Sequence, residues 1–178
     1  MTKNYVSIGL QNPKTPVNVN GIMRASGCYQ VDAVWYTGRR YELAARSGEA
    51  QYQVDTKKAA QRIPLNKVET LLSAVPEGTK IVCVDLVEGA IPLPEFDHPE
   101  NAFYVFGPED GTVEQDLIDK ADAVVYVPTV GCMNLAASVN VLLYDRLAKS
   151  VQKGQQADFM GDQLIRRSRD NNNRMKVR

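Results

Sequence analysis

Two glycine-bearing loops, each following a short β-like run, constrain this chain more than any other feature of its sequence. Ala102 to Phe106 leads into Gly107-Pro108-Glu109-Asp110-Gly111-Thr112-Val113, and Ala123 to Val127 leads into Pro128-Thr129-Val130-Gly131-Cys132-Met133-Asn134-Leu135. An apolar helical run through Tyr144 follows the second loop. Two such loops are expected together at the carboxyl ends of adjacent parallel strands, where an α/β sheet binds its ligand. Neither loop has the GxGxxG spacing or that of a P-loop, which argues against a nucleotide held by its phosphates.

The rest of the chain alternates β-like and helical patterns, the signature of an α/β fold with a mostly parallel sheet. Strands are expected at Tyr5 to Leu10, Ala33 to Tyr36, Ile81 to Leu86, Ala102 to Phe106 and Ala123 to Val127. Helices are expected at Asn18 to Gly27, ended by its glycine, and at Tyr41 to Arg46, Leu65 to Ala74, Val113 to Lys120 and Asn134 to Ser150. The polar stretch Gly48 to Pro64 reads as a loop or lid, and Pro92, Pro94 and Pro99 mark Ala90 to Glu100 as irregular connection. From Gly154 onward the composition turns basic, which divides the chain into a domain over 1–153 and a flexible tail over 154–178.

A chain of 178 residues can bury a substantial single core. Lys plus Arg balances Asp plus Glu at 21 each, so no global charge announces a nucleic-acid partner, although a local basic patch is compatible with neutrality. Cys28, Cys83 and Cys132 are odd in number and lack metal-type spacing, so they read as reduced thiols. The one histidine, His98, lies in the proline-rich connection, which leaves no imidazole set for a metal. The start of the chain carries no long apolar stretch, and the expected location is the cytoplasm, with no membrane partner.

Three ordered blocks resemble the SPOUT class of RNA methyltransferases, within it the SpoU/TrmH branch of ribose 2'-O-methyltransferases. Asn18-Val19-Asn20-Gly21-Ile22-Met23-Arg24 is similar to that family's N-x-G-x-I-x-R segment, with the glycine one place later than usual. Phe106 to Val113 is similar to its F-G-x-E-x-x-G signature, and Val127 to Tyr144 to its I-P-M…S-L-N…L-Y-E signature. The resemblance spans roughly Tyr5 to Leu147. Cys132, Met133 and Thr129 stand where the family usually has serine, leucine and methionine.

The resemblance implies an α/β-knot fold with a carboxyl-terminal trefoil knot, S-adenosyl-L-methionine (AdoMet) as cofactor, tRNA or rRNA as substrate and a homodimer that completes each site. The cofactor would lie among Leu86 to Gly89, Phe106, Gly107, Gly111, Val127, Pro128, Gly131, Cys132, Met133 and Asn134, with its adenine against Val127, Met133 and Leu135. The catalytic candidates it implies are Arg24, Asn18, Glu109 and Asn134. A guanidinium is a poor base, so the conservative role for Arg24 is anchoring the target phosphate and stabilising the developing alkoxide. Glu109 is expected to orient the loops as a hydrogen-bond acceptor, and Gly107 and Gly111 to permit positive-φ turns beside a flat ligand. Asn134 is placed to cap the last helix. The apolar face of Asn134 to Leu147 is a candidate dimer contact.

Arg166, Arg167 and Arg169, with Arg174, Lys176 and Arg178, form either an RNA-contacting arm or a solvated terminus. Two other classes stay open at this level. One is a non-catalytic RNA- or AdoMet-binding relative, and the other is a nucleotide enzyme on a flavodoxin-like sheet.

Overall fold

The computed structural model describes residues 4–47, 58, 60–155, 159–170 and 172–178. Most of the expected Gly48 to Pro64 loop lies outside the described residues, and Ala60–Arg62 forms a 3-10 turn at its end. Among the described residues, seven strands make one parallel sheet: β1 (Val6–Leu10), β2 (Ala33–Tyr36), β3 (Leu65–Lys67), β4 (Lys80–Val84), β5 (Ile91–Pro92), β6 (Ala102–Phe106) and β7 (Ala123–Tyr126). Their order across the sheet is β3-β2-β1-β6-β4-β7-β5. The helices are α1 (Pro16–Cys28), α2 (Arg40–Arg46), α3 (Gln115–Lys120), α4 (Leu135–Gln152) and α5 (Asp162–Ser168).

Side chains alternate along the strands between two apolar layers, as the two-residue period of a strand requires. Ile8, Leu10, Val34, Val82, Tyr104, Phe106 and Val125 face one layer with Val19 and Ile22 of α1 and Val139, Leu142 and Leu143 of α4. Cys83, Phe103 and Val105 face the other with Leu71, Val113 and Leu117. Every residue of β6 is buried, which is the reason its sequence reads as an unbroken apolar run. Leu135, Val139, Leu142 and Leu143 of α4 are thus buried within the chain, while Tyr144 stays exposed.

Several expected boundaries shift for identifiable reasons. Leu65 to Ala74 is not a helix: β3 pairs with β2 through Val34–Leu65, Trp35–Asn66 and Tyr36–Lys67, and a 3-10 turn over Leu71–Ala74 follows. Its apolar residues have near-helical spacing, yet Leu65 packs in the first layer and Leu71 in the second, which a helix on one face could not do. The strand expected at Ile81 to Leu86 stops at Val84, because the Asp85 carboxylate takes the Leu86 amide and the Val87 amide bonds the Asp85 carbonyl. Ala90 to Glu100 is mostly irregular but adds the two-residue edge strand β5 and a 3-10 turn over Leu93–Glu95. Helix α1 runs to Cys28 rather than ending at Gly27, and the left-handed residue beyond it is Gln30, at φ 56°.

The far half of α4 is bolted to the connection after β5 by a half-buried polar cluster. The His98 Nδ1 lies 2.7 Å from the Tyr104 hydroxyl and its Nε2 2.8 Å from the Asp145 carboxylate. Arg146 donates to the Tyr104 hydroxyl and to the Pro99 and Glu100 carbonyls, and Lys149 donates to the Leu93 and Phe96 carbonyls. One tautomer satisfies the whole set: Arg146 donates to Tyr104, Tyr104 to His98 Nδ1, and the neutral ring's Nε2–H to Asp145. Burial pushes the His98 pKa down to about 4, and the nearby Arg146 and Lys149 cations oppose what the Asp145 contact would raise. This anchorage holds α4 so that its amino-terminal end faces the carboxyl ends of the strands.

Candidate active site

The carboxyl ends of β4, β6 and β7 open onto a cleft of about 420 Å³, a volume suited to a small-molecule ligand. The two glycine-bearing loops do not follow adjacent strands. Strand β4 stands between β6 and β7, so a third loop, beginning at Asp85, forms part of the wall. The cleft is lined by Leu86, Phe106, Gly107, Gly111, Val127, Gly131, Cys132, Met133 and Asn134, which gathers the expected cofactor positions except Pro128. Asn18 and Glu109 also line it, whereas Arg24, Arg166, Arg167 and Arg169 do not.

Glu109 joins the loop after β6 to the start of α1. Its carboxylate accepts from the Lys14 amide at 2.8 Å, the Thr15 amide at 3.0 Å, the Thr15 hydroxyl at 2.9 Å and Asn18 Nδ2 at 3.1 Å. Thr15 is the N-cap residue of α1 but makes no side-chain cap of its own, so a carboxylate from a distant loop serves the helix end instead. Burial alone would raise the Glu109 pKa; the donors from Thr15, Asn18 and Lys14 outweigh it and leave the group below its ordinary value. Asn18 passes the chain onward, its Oδ1 accepting from Asn134 Nδ2 at 2.9 Å. Asn134 in turn caps α4, its Oδ1 accepting from the Ala137 amide at 3.2 Å. Three candidates, Glu109, Asn18 and Asn134, thus form one hydrogen-bonded line across three segments.

Arg24 stands apart from that line. Six residues along a helix amount to roughly 9 Å of rise and a different face from Asn18. Arg24 is exposed on the outward stripe of α1, below Val17, which is 45% exposed. Arg166 and Arg167 lie exposed on α5, and Arg169, which caps it, is half-buried.

Further contacts fix the loop after β6. Arg40 reaches both Asp110 oxygens at 2.9 Å, and this guanidinium holds the Asp110 carboxyl below its usual range. The Gln11 side-chain oxygen accepts from the Glu114 amide at 3.0 Å. Gly107 and Gly111 are not positive-φ residues. What Gly107 supplies is room, since a Cβ there would lie 2.8 Å from the Val113 amide nitrogen and 3.2 Å from Asp85 Oδ2. Gly131 differs, because a Cβ there would meet no protein atom within 4 Å.

Sequence reasoning missed Asp85. Its Oδ1 accepts from the Leu86 amide at 2.8 Å and its Oδ2 from the Val113 amide at 2.7 Å, so one side chain spans two walls of the cleft. Pro108 and Ser138 also line the cleft without having been singled out. Among the described residues, the only charged side chains lining it are Asp85 and Glu109, both acidic. A cleft of this charge, with Leu86, Phe106, Val127, Met133 and Leu135 as apolar surface, suits a flat ligand that carries positive charge and disfavours a phosphate. Among the described residues, no group of three or more His, Cys, Asp or Glu gathers to hold a metal. No helix among them is long and apolar enough to cross a membrane.

A parallel α/β sheet with its cleft on the loops after β4, β6 and β7 defines the class of site, and comparison with known proteins places it. Residues 5–144 match the SpoU rRNA Methylase family, and the chain belongs to that family. The tRNA (guanosine(18)-2'-O)-methyltransferase of Escherichia coli K12 is 23% identical over 146 residues, covering 79% of this chain and 62% of its own length. The chain therefore spans under two thirds of that relative. Among solved structures, the A. aeolicus TrmH/SpoU tRNA modifying enzyme superposes with a TM-score of 0.70 at 19% identity, over 93% of this chain and 85% of that one. The SpoU methyltransferase AviRb from Streptomyces viridochromogenes, in complex with AdoMet, gives 0.66 at 15% identity, over 85% of this chain and 63% of that one. At these identities the superpositions establish the fold.

Proposed function

We propose that this protein is an AdoMet-dependent methyltransferase acting on a ribose 2'-hydroxyl of structured RNA, tRNA or rRNA. The observation that carries the reading is the cleft itself: two carboxylates, no cationic side chain and an apolar floor, in a member of the SpoU family. The residues present fit the cofactor. Leu86, Phe106, Val127, Met133 and Leu135 supply surface for an adenine, and Gly131, where a Cβ would meet no protein atom within 4 Å, lets a ligand lie close to the backbone. AdoMet supplies an electrophilic methyl group on a sulfonium.

The remaining work falls to the chain. Glu109, Asn18 and Asn134 hold the amino-terminal ends of α1 and α4 and the loop after β6 in one arrangement, which preorganises the cleft. Arg24 anchors the target phosphate and stabilises the negative charge that develops on the 2'-oxygen as it attacks the methyl carbon, the hydroxyl proton passing to water. Its distance from the cleft within one chain favours a homodimer in which Arg24 of the partner subunit completes the site. Exposed Val17 and Arg24 share a face of α1, and Tyr144 of α4 is 62% exposed, so this side of the molecule is the dimer surface in the proposal. The carboxyl-terminal knot and the cytoplasmic location belong to the same reading, as does the division into a domain over 1–153 and a basic RNA-binding tail over 154–178.

The test is incubation with labelled AdoMet and total RNA from methylation-deficient cells, followed by mapping of the labelled nucleotide. One labelled ribose is expected. Arg24→Ala is expected to lower transfer by on the order of 100-fold or more while AdoMet binding persists. AdoMet binding without transfer to any RNA would make the protein a non-catalytic relative, and near-normal turnover by Arg24→Ala would remove Arg24 from the chemistry.

A further inference from the structure

The two acidic side chains of the cleft are not equivalent. A carboxylate has about four lone-pair sites. Glu109 takes four donors from Lys14, Thr15 and Asn18, three on Oε1 and one on Oε2. Asp85 accepts only two backbone amides, those of Leu86 and Val113, and no Lys, Arg or His among the described residues pairs with it. It stands at the end of β4, in the middle of the three strands that frame the cleft. Gly107 lets its Oδ2 and the Val113 amide pack close together, since a Cβ there would crowd both. Asp85 therefore presents negative charge and unused acceptor capacity to the cleft, in an orientation that two loops fix.

Resting on the cofactor reading above, we infer that Asp85 is a specificity residue that makes the cleft prefer the cationic cofactor to its neutral product. Transfer of the methyl group to the ribose oxygen leaves the sulfur as an uncharged thioether, and the ligand loses one positive charge. A fixed carboxylate in a partly desolvated cleft favours the more positive ligand, which helps AdoMet displace S-adenosylhomocysteine after each turnover. The same side chain spaces the loops after β4 and β6, so its removal has both a shape consequence and a charge consequence. Only the charge consequence discriminates between the two ligands.

Calorimetric titration of the wild-type protein and Asp85→Asn with AdoMet and with S-adenosylhomocysteine separates the two. The variant is expected to lose about tenfold in AdoMet affinity relative to its change for the neutral product. Equal weakening for both ligands would reduce Asp85 to a loop spacer and overturn the inference, as would no change for either. A second measurement needs no variant: the wild-type preference for AdoMet is expected to shrink as salt rises from about 0.05 M to about 0.5 M. A preference that does not move with salt overturns the inference while leaving the cofactor reading intact. Failure of the wild type to bind either ligand overturns the cofactor reading itself, and the inference with it.

Discussion

Glu109→Ala removes one side chain and disconnects two elements, so its cost can be worked from contacts. The substitution leaves the Lys14 and Thr15 amides, the Thr15 hydroxyl and Asn18 Nδ2 without their acceptor, and takes a negative charge from the amino-terminal end of α1. Loss of a helix cap costs about 1 kcal/mol, and the half-buried donors, partly rewetted, bring the total to about 2 kcal/mol. For a chain of this size that lowers Tm by roughly 4–8 °C. Glu109→Gln keeps one oxygen but turns an amide NH2 toward a donor, and about half the loss is expected. The pH dependence has a definite sign. Because the folded-state pKa lies below its ordinary value, the stabilisation is complete above the unfolded-state pKa and disappears as pH falls through the folded one. The wild-type advantage over Glu109→Gln should therefore be constant at neutral pH and close in the acid range. Thermal unfolding monitored by circular dichroism from neutral to acid pH reads both quantities. A Glu109→Ala protein melting within about 1 °C of wild type would refute the claim that this carboxylate caps α1.

Other perturbations test separate parts of the molecule. Gly131→Val is expected to abolish AdoMet binding with no loss of Tm, because Gly131 lines the cleft and a Cβ there meets no protein atom within 4 Å; unchanged affinity by calorimetry would remove Gly131 from the pocket. Gly107→Ala should instead destabilise the fold, since its Cβ meets the Val113 amide, and a normal Tm would show that the loop yields. His98 is the sole histidine and is held neutral with its pKa near 4, so its folded state resists protonation that its unfolded state accepts. Stability should be full above about pH 6.5 and fall toward pH 4, by about 3 kcal/mol at most; a His98→Gln protein that keeps the same slope would assign it elsewhere. Deleting Asp162 to Arg178 should weaken RNA affinity and flatten its salt dependence, and an identical slope would return the tail to a solvated terminus.

How far the site was legible follows from what each segment must satisfy. Strands β2 and β6 were readable to the residue because both are hydrophobic runs flanked by polar turns, and β6, buried on both faces, can be little else. Leu65 to Ala74 failed because its spacing fits a helix while its backbone is claimed by the edge of β2, and pairing with a strand distant in sequence is invisible to local periodicity. Pocket residues on the glycine loops could be found because a family pattern marks them. Asp85 carried no such mark. It sat inside what reads as a continuing strand, and its importance arises only when Val113, 28 residues away, donates to it.

The same distinction explains why the functional line could be named but not drawn. Asn18, Glu109 and Asn134 were each named singly, and in the structure the capping expected of Asn134 turns out to be part of the means of assembly. Asn134 caps α4 and, through its other amide atom, reaches Asn18. Glu109 satisfies the end of α1 and holds Asn18 in place for that contact. Because each helix end is satisfied by a residue that also lines the cleft, the cleft cannot change shape without exposing backbone donors, and the cost of those donors keeps it formed before any ligand arrives. Preorganisation of this kind is what a methyl transfer between two bound partners requires, since the reacting atoms must be held in line while little else moves.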